Sequence, residues 1–271
     1  MAVLSVALAF CGIRCSVQQP IPTQGLQLWL KADAGATLNG STVSKWADQS
    51  GKGNDAIQPD SPRQPLLVKD GLNGKPTIRF DGFDDRLGLT GSKLMSQISL
   101  FIVFKIDSGV LDYVPVAFGD IDADGWVWGL YMQRGFAGYS PDTITIFAGF
   151  NGTVRAAAPR CAAFGVWHCI SVVTNGVIWS TTLHADGVDA QIAHRAANMF
   201  ISVPIGNPTG TGTGGIAGND AARPPFGRIA SKCDVAEVIL YDTVFSDSLR
   251  RSVEQYLATK YALPHMVEAS R

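Results

Sequence analysis

Glutamate is nearly missing from this chain. Of its 23 acidic residues only Glu237, Glu254 and Glu268 are glutamate, and the rest are aspartate. Aspartate bonds its own backbone through a short side chain and favours turns and caps, whereas glutamate favours helices. An Asp-rich, Glu-poor chain therefore reads as strands joined by many turns. Histidine is scarce too, with His168, His184, His194 and His265 spread along 271 residues. A lyase would set a His or Tyr base beside an Arg or Lys that neutralises a uronate carboxylate, and no such triad is recognisable. No G-x-S-x-G elbow occurs, which leaves serine hydrolysis without support.

The five cysteines, Cys11, Cys15, Cys161, Cys169 and Cys233, are odd in number and have no repeated pair spacing, which excludes a disulfide framework. Cys11 and Cys15 lack the His or Cys cluster that would complete a zinc site. Cys161 and Cys169 could meet across a bend, but most of the thiols are expected to be free and buried. Net charge is also lacking, at -1, so nothing in the bulk electrostatics points to nucleic acid or an anionic membrane. No hydrophobic run is long enough to span a bilayer. The apolar stretch from Val3 to Ile13 has signal-peptide length but no positive n-region and no clean A-x-A exit. Residues 1–24 are read as an apolar N-terminal arm or signal-like segment. As an arm, it would pack on this domain or on neighbours in a homo-oligomer or a particle.

What is present is a succession of short extended runs at β-sandwich spacing. "LQLWLKAD" alternates, with Leu26, Leu28 and Leu30 on one face. "ISLFIVFKI" is continuously apolar and is expected to be a central strand buried on both faces. "YVPVAF", "GWVWGLYMQ", "TITIFAGF", "VWHCISVV", "VIWSTTLHA", "MFISVPIG" and "DVAEVILYD" follow. Asn175-Gly176 suits a two-residue type I′ hairpin turn, which would set Trp167 opposite His184. The glycine-rich stretch 206–220 contains a formal G-x-G-x-x-G at Gly210, Gly212 and Gly215. No helical pattern follows it to hold phosphate, so it reads as a flexible loop between two strands. One helix is expected in "SDSLRRSVEQYLATKYAL". Ser246 would be its N-cap, Asp247 would lie in its first turn, and Leu249, Val253, Tyr256, Leu257 and Tyr261 would form one apolar stripe. Pro264 comes just after its end, and residues 264–271 form a tail.

Several of these segments, taken in order, resemble the LamG-like, concanavalin A-like lectin-glucanase jelly-roll superfamily. They are "GLQLWLKADAG", "VSKWADQSGKGNDAIQ", "GLNGKPTIRFDGFDDRL", "GVWHCISVV…LHADGV" and "DVAEVILYDTVFSDSLRRSVEQYLATKY". The resemblance covers residues 25–263 and implies an all-β jelly-roll sandwich of two antiparallel sheets with one C-terminal helix. It implies that Trp46 packs, that Asp48, Asn54 and Asp55 fix turns, and that Glu237 is a buried structural partner. Trp167 and His168 match a recurrent strand, with Cys169 departing from the commoner second His. The superfamily includes sugar-binding and adhesive modules, glycan-cleaving enzymes and parts of viral and phage particles, so fold alone leaves function open. Its laminarinase-like enzymes use two Glu on one strand, and a retaining mechanism needs carboxylates about 5 Å apart. Here no strand carries two Glu, which argues against that enzyme.

The remaining candidates are aspartates and aromatics. In "TIRFDGFDDRLGL", Asp81, Asp84 and Asp85 read first as a turn with an ion pair to Arg79 or Arg86, second as a calcium site, and last as a catalytic pair. Asp120, Asp122 and Asp124, followed by Gly125, match the start of a calcium loop, but its twelfth position is Tyr131, not Glu. A looser structural calcium site remains, beside the reading of a solvated hairpin tip. Trp126, Trp128, Tyr131 and Tyr139 could stack a sugar, although Trp128 also fits the core. The sequence thus points to a non-catalytic carbohydrate-binding or surface-attachment module that meets a glycan or cell-surface polysaccharide. It would act outside the cell, at a cell surface or on a virion surface. A structural decoration or fibre protein of a viral or phage particle is the alternative, and a glycan-cleaving enzyme comes third.

Overall fold

The computed structural model of the chain describes residues 21–107, 112–119, 128–134, 144–150, 154–196, 202–210, 214–219 and 229–263. They form an all-β sandwich of antiparallel strands closed on one side by a single helix, Asp247–Tyr261. The first sheet is centred on Ile98–Ile106, flanked by Trp167–Thr174 and Lys232–Tyr241. Thr182–Ala185 and Val188–Asp189 extend it one way. On the other side, Lys232–Tyr241 pairs with Lys75–Asp81 along its first half and with Leu26–Lys31 along its second.

The second sheet runs from His194–Ala196 through Val154–Ala162, Ile144–Phe150, Trp128–Arg134 and Asp112–Phe118. It continues through Gly215–Ile216, Leu87–Leu89, Ala56–Ile57 and Thr42–Trp46 to Ala36–Asn39. The sheets face each other across one apolar layer. Leu28, Leu30, Ile78, Ile102, Phe104 and Val235 of the first meet Trp46, Val116, Phe118, Trp128 and Leu130 of the second.

The unbroken apolar run of Ile98–Ile106 has a simple cause. Its even-numbered residues face the sandwich core, while Phe101 and Val103 face a second apolar cluster with Val253, Tyr256, Leu257 and Tyr261 of the helix. A strand covered on both faces has no polar side to alternate with. The helix begins as its sequence demands: the Ser246 hydroxyl accepts from the Leu249 amide at 3.4 Å, a standard N-cap bond. It ends at Ala262, a left-handed residue (φ 49°) whose amide reaches the Ala258 carbonyl. The expected stripe is off by one residue, because Leu249 is exposed and Arg250 is buried instead. Pro264 lies outside the described residues.

The "KWADQSGKGNDA" loop is fixed as expected. Trp46 is fully buried and donates Nε1–H to the Lys31 carbonyl at 2.9 Å. Asp48 accepts from the amides of Trp29, Ser50 and Asn54 at 2.9–3.0 Å. Asp55 Oδ1 accepts from the Asp48 amide at 2.9 Å.

Three expectations are corrected. The glycine-rich stretch is not simply a loop, because Gly215–Ile216 is a strand between Leu87–Leu89 and Asp112–Phe118. Its neighbouring glycines are there for close approach: a Cβ on Gly206 would sit 2.1 Å from the Leu89 carbonyl oxygen. The hairpin after Thr174 is not a two-residue turn either. Val173 pairs with Thr182, so Ser171, not Trp167, lies opposite His184. Finally, Val154–Ala162 is a strand in a segment whose alanines and Pro159 carry little strand propensity. The cross-strand partners on Ile144–Phe150 hold it, with a register irregularity next to Pro159.

Candidate functional site

The hairpin that breaks the expected register carries an exposed tryptophan. The residues after Asn175-Gly176 form a 3₁₀ turn, Ile178–Ser180, in place of a continuing strand. The Asn175 side chain nucleates it: its Oδ1 accepts from the Val177 amide at 3.1 Å and from the Ser180 hydroxyl at 2.5 Å. The Ser180 amide closes the turn on the Val177 carbonyl at 2.9 Å. Beneath it, the buried hydroxyls of Thr174 and Thr181 bond at 3.1 Å. The turn packs beside Val154–Ala162 and His194–Ala196, at the edge of the second sheet. Trp179 projects from this braced turn with 59 % of its surface exposed.

That exposure separates Trp179 from the other described tryptophans. Trp46 and Trp128 are in the core. Trp29 is half-buried and donates Nε1–H to Glu237 at 2.6 Å. Trp167 is half-buried under the Lys105 ammonium, 5.5 Å from its ring centroid. A rigid indole on solvent has an apolar face for a sugar ring and a donor for its hydroxyls.

Of the expected aromatic platform, Trp128 has the one described side chain, and it points inward. Trp128 is 1 % exposed and stacks on Phe118 at 6.1 Å between the sheets, so it cannot face a ligand. Its strand residue alternates inward with Leu130, which is also buried. Trp126, Tyr139, Asp120, Asp122 and Asp124 lie outside the described residues, as does the side chain of Tyr131. The signal for Trp179 lies in Asn175: an Asn bonding its own backbone two residues on is Asx-turn chemistry, and it can divert a chain out of a hairpin.

The three carboxylates of Asp81, Asp84 and Asp85 do come together, with one oxygen of each within 4.8 Å of the others. Most of their bonds are those of a turn. Asp81 Oδ1 accepts from the Phe83 amide at 2.7 Å, and Asp85 Oδ2 accepts from the Asp81 amide at 3.0 Å. Of the two arginines expected as ion-pair partners, Arg79 or Arg86, Arg79 is engaged bidentately by Asp234 at 2.7 and 2.8 Å. Burial of Asp85, with the charges of Asp81 and Asp84 adding to it, pushes its carboxyl up to about 6. The folded state therefore holds a proton that the unfolded chain releases near pH 4, and stability falls as pH rises through that window. Asp85→Asn should raise stability by about 1 kcal/mol at pH 7.5 and by less at pH 4. Urea unfolding at the two pH values checks this.

The two described glutamates are saturated with donors. Glu237, with no exposed surface, accepts from Trp29 Nε1 and Tyr256 Oη on one oxygen and from Lys260 Nζ and Tyr261 Oη on the other, at 2.6–3.0 Å. Glu254 accepts from Ser171 Oγ at 2.6 Å and from Arg250 at 2.6 and 2.7 Å. His168 is held at both nitrogens: Nδ1 lies 2.7 Å from Asp186 Oδ2, and Nε2 accepts from the Ala163 amide at 3.0 Å. Cys169 and Cys233 are free, buried thiols, as expected, and burial pushes both well above the usual range.

No protein-family model and no curated protein matches the chain. Solved structures do. Trypanosoma rangeli sialidase is 15 % identical with a TM-score of 0.52, over 89 % of this chain and 34 % of that one. The same enzyme in complex with the inhibitor DANA is 13 % identical with a TM-score of 0.53, over 86 % and 33 %. Domain 4 of AbnA, a GH43 extracellular arabinanase from Geobacillus stearothermophilus, in complex with arabinotriose, is 12 % identical with a TM-score of 0.51, over 83 % and 96 %. The chain thus spans about a third of the sialidases but nearly all of the arabinanase domain. At these identities the likeness is one of fold. Among the described residues no helix is long and apolar enough to cross a membrane.

Proposed function

We propose that this domain is a non-catalytic carbohydrate-binding or surface-attachment module that stacks a glycan ring on Trp179. The observation that carries the reading is the exposed indole on a hydrogen-bonded 3₁₀ turn at the sandwich edge. Three further points support it. The described glutamates and His168 are committed to internal partners and offer no free acid or base. A whole-domain structural neighbour is described with arabinotriose bound. The ordered sequence segments resemble the concanavalin A-like lectin-glucanase superfamily, whose sugar-binding members act outside the cell. The same localisation is proposed here.

A glycan array of the purified chain and of Trp179→Ala tests the proposal. Truncating a Trp anchor removes about 2 kcal/mol or more, which is roughly thirtyfold in affinity. Signal on a subset of glycans, lost in the variant at unchanged melting temperature, is the expected result. Binding that survives chelation would leave the aromatic site without a metal, and chelation-sensitive binding would point to calcium at Asp120, Asp122 and Asp124. Equal binding by the variant would remove Trp179 from the site. A blank array for both proteins would favour a structural role in a particle, to be followed by the assembly mass.

A further inference from the structure

A buried polar cluster lies between the first sheet and the start of the helix, and it has no place in the sugar site. Four residues form it. Ser171 and His184 lie opposite each other on adjacent strands. Arg250 and Glu254 come from the helix, and all four are at least nine-tenths buried. Glu254 takes three of the cluster's hydrogen bonds, from Ser171 Oγ and from two contacts of Arg250 Nη1. His184 Nδ1 is buried and has no hydrogen-bond partner.

The charges that act on His184 come from every side of it. Arg250, Glu254 and Asp247 belong to the helix, Asp189 is its cross-strand neighbour on the outer strand, and Ser171 on the inner strand is neutral. Asp247 is the exposed end of this set, 3.6 Å from Arg250 Nε. Glu254 is the one buried carboxylate in it, and Arg250 already neutralises that group. A proton on His184 would therefore add a second cation to a site with one buried anion.

We infer that His184 is an acid-sensitive latch: its neutral imidazole lets the helix seat, and its protonation against Arg250 loosens the first half of the helix from the sheet. Burial, then the Arg250 charge, hold its proton affinity below that of a free histidine, although Glu254, Asp189 and Asp247 act the other way. The sign follows from linkage. The unfolded chain binds the proton more readily, so the stabilisation is complete above about pH 6.5 and is lost as pH falls through the folded-state value. What the helix uncovers is apolar, namely Phe101, Val173 and the Cys169 thiol.

Hydrogen exchange of residues 247–261, normalised to intrinsic rates, tests this on the full chain between pH 7.5 and 5. Protection of the helix should fall by up to about tenfold for each unit by which the histidine's proton affinity is depressed in the folded state. The strand Ile98–Ile106, whose amides bond within the sheet to strands on both sides, should keep its protection. His184→Gln should flatten the profile across this range. A histidine NMR titration of the unmodified protein gives a second readout that needs no variant, with His184 titrating below the usual value at the midpoint of the helix change. A variant profile parallel to the wild type, or a helix unaffected while His184 titrates, would overturn the latch.

Discussion

Glu237→Ala should unfold the domain more readily than any other single truncation of a charged residue here. The carboxylate is wholly buried and accepts four hydrogen bonds from Trp29, Tyr256, Tyr261 and Lys260. Its loss would take this acceptor from the Trp29 indole N–H and the Tyr256 hydroxyl, while the Tyr261 hydroxyl would keep the Ala236 carbonyl at 3.2 Å. The Lys260 side chain, itself 4 % exposed, would keep Asp33 at 3.0 Å and the rings of Tyr256 and Tyr261 but lose its buried carboxylate. Breaking a buried pair by removing one partner costs about 3–5 kcal/mol. Three of the four donors sit on the last turns of the helix or pack against it, so the end of the helix should lose its protection as well. Glu237→Gln should do less harm, because its carbonyl can still accept from Trp29 and Tyr256, while its amide nitrogen faces Lys260. Urea midpoints of the two variants give the comparison. A loss below about 1 kcal/mol for Glu237→Ala would mean that water enters and replaces the carboxylate.

Gly206→Ala should be nearly as damaging, for a different reason. The new methyl would meet Leu89 O at 2.1 Å and Leu89 C at 2.7 Å, both backbone atoms that no rotamer change can move aside. The same two segments are tied by Asn207 N–H to the Leu89 carbonyl at 2.9 Å and Gly206 N–H to the Gly91 carbonyl at 2.5 Å. Separating them would break those bonds and disturb the adjoining Gly215–Ile216 pairing with Leu87–Leu89. A loss of about 3 kcal/mol is expected, at the upper end of overpacking costs. Gly51→Ala is the control. Nothing lies within 4 Å of its added methyl, but its φ of 80° disfavours a side chain, so about 1 kcal/mol should be lost. If both variants melt alike, close approach is not what the glycine-rich stretch is for.

Much of the fold was legible because its signals are local. Ser246 followed by a helical stripe, the two-sided burial of Ile98–Ile106, and the Trp46–Asp55 loop each follow from residues a few positions apart. The exceptions depend on partners distant in sequence. Arg250 replaces Leu249 on the buried face of the helix because Glu254, which also accepts from Ser171, receives it there. Val154–Ala162 is a strand because Ile144–Phe150 and His194–Ala196 pair with it.

The candidate site was the least legible part. "VIWSTTLHA" has the composition of a strand, and Asn-Gly the composition of a tight turn. The Asn175 side chain outcompetes both by bonding Val177 and Ser180, which swings Trp179 out of the ladder. Trp128, chosen for its neighbours in sequence, is drawn into the core by its alternation with Leu130 and by Phe118 opposite it.

The most direct test of the central claim is a calorimetric titration with the oligosaccharide that gives the strongest array signal, run on the wild type, Trp179→Phe and Trp179→Ala. The account predicts weakening in that order, with Trp179→Ala down by roughly thirtyfold or more and all three proteins equally stable to urea. Affinities that do not change across the three would place the glycan elsewhere on the sandwich.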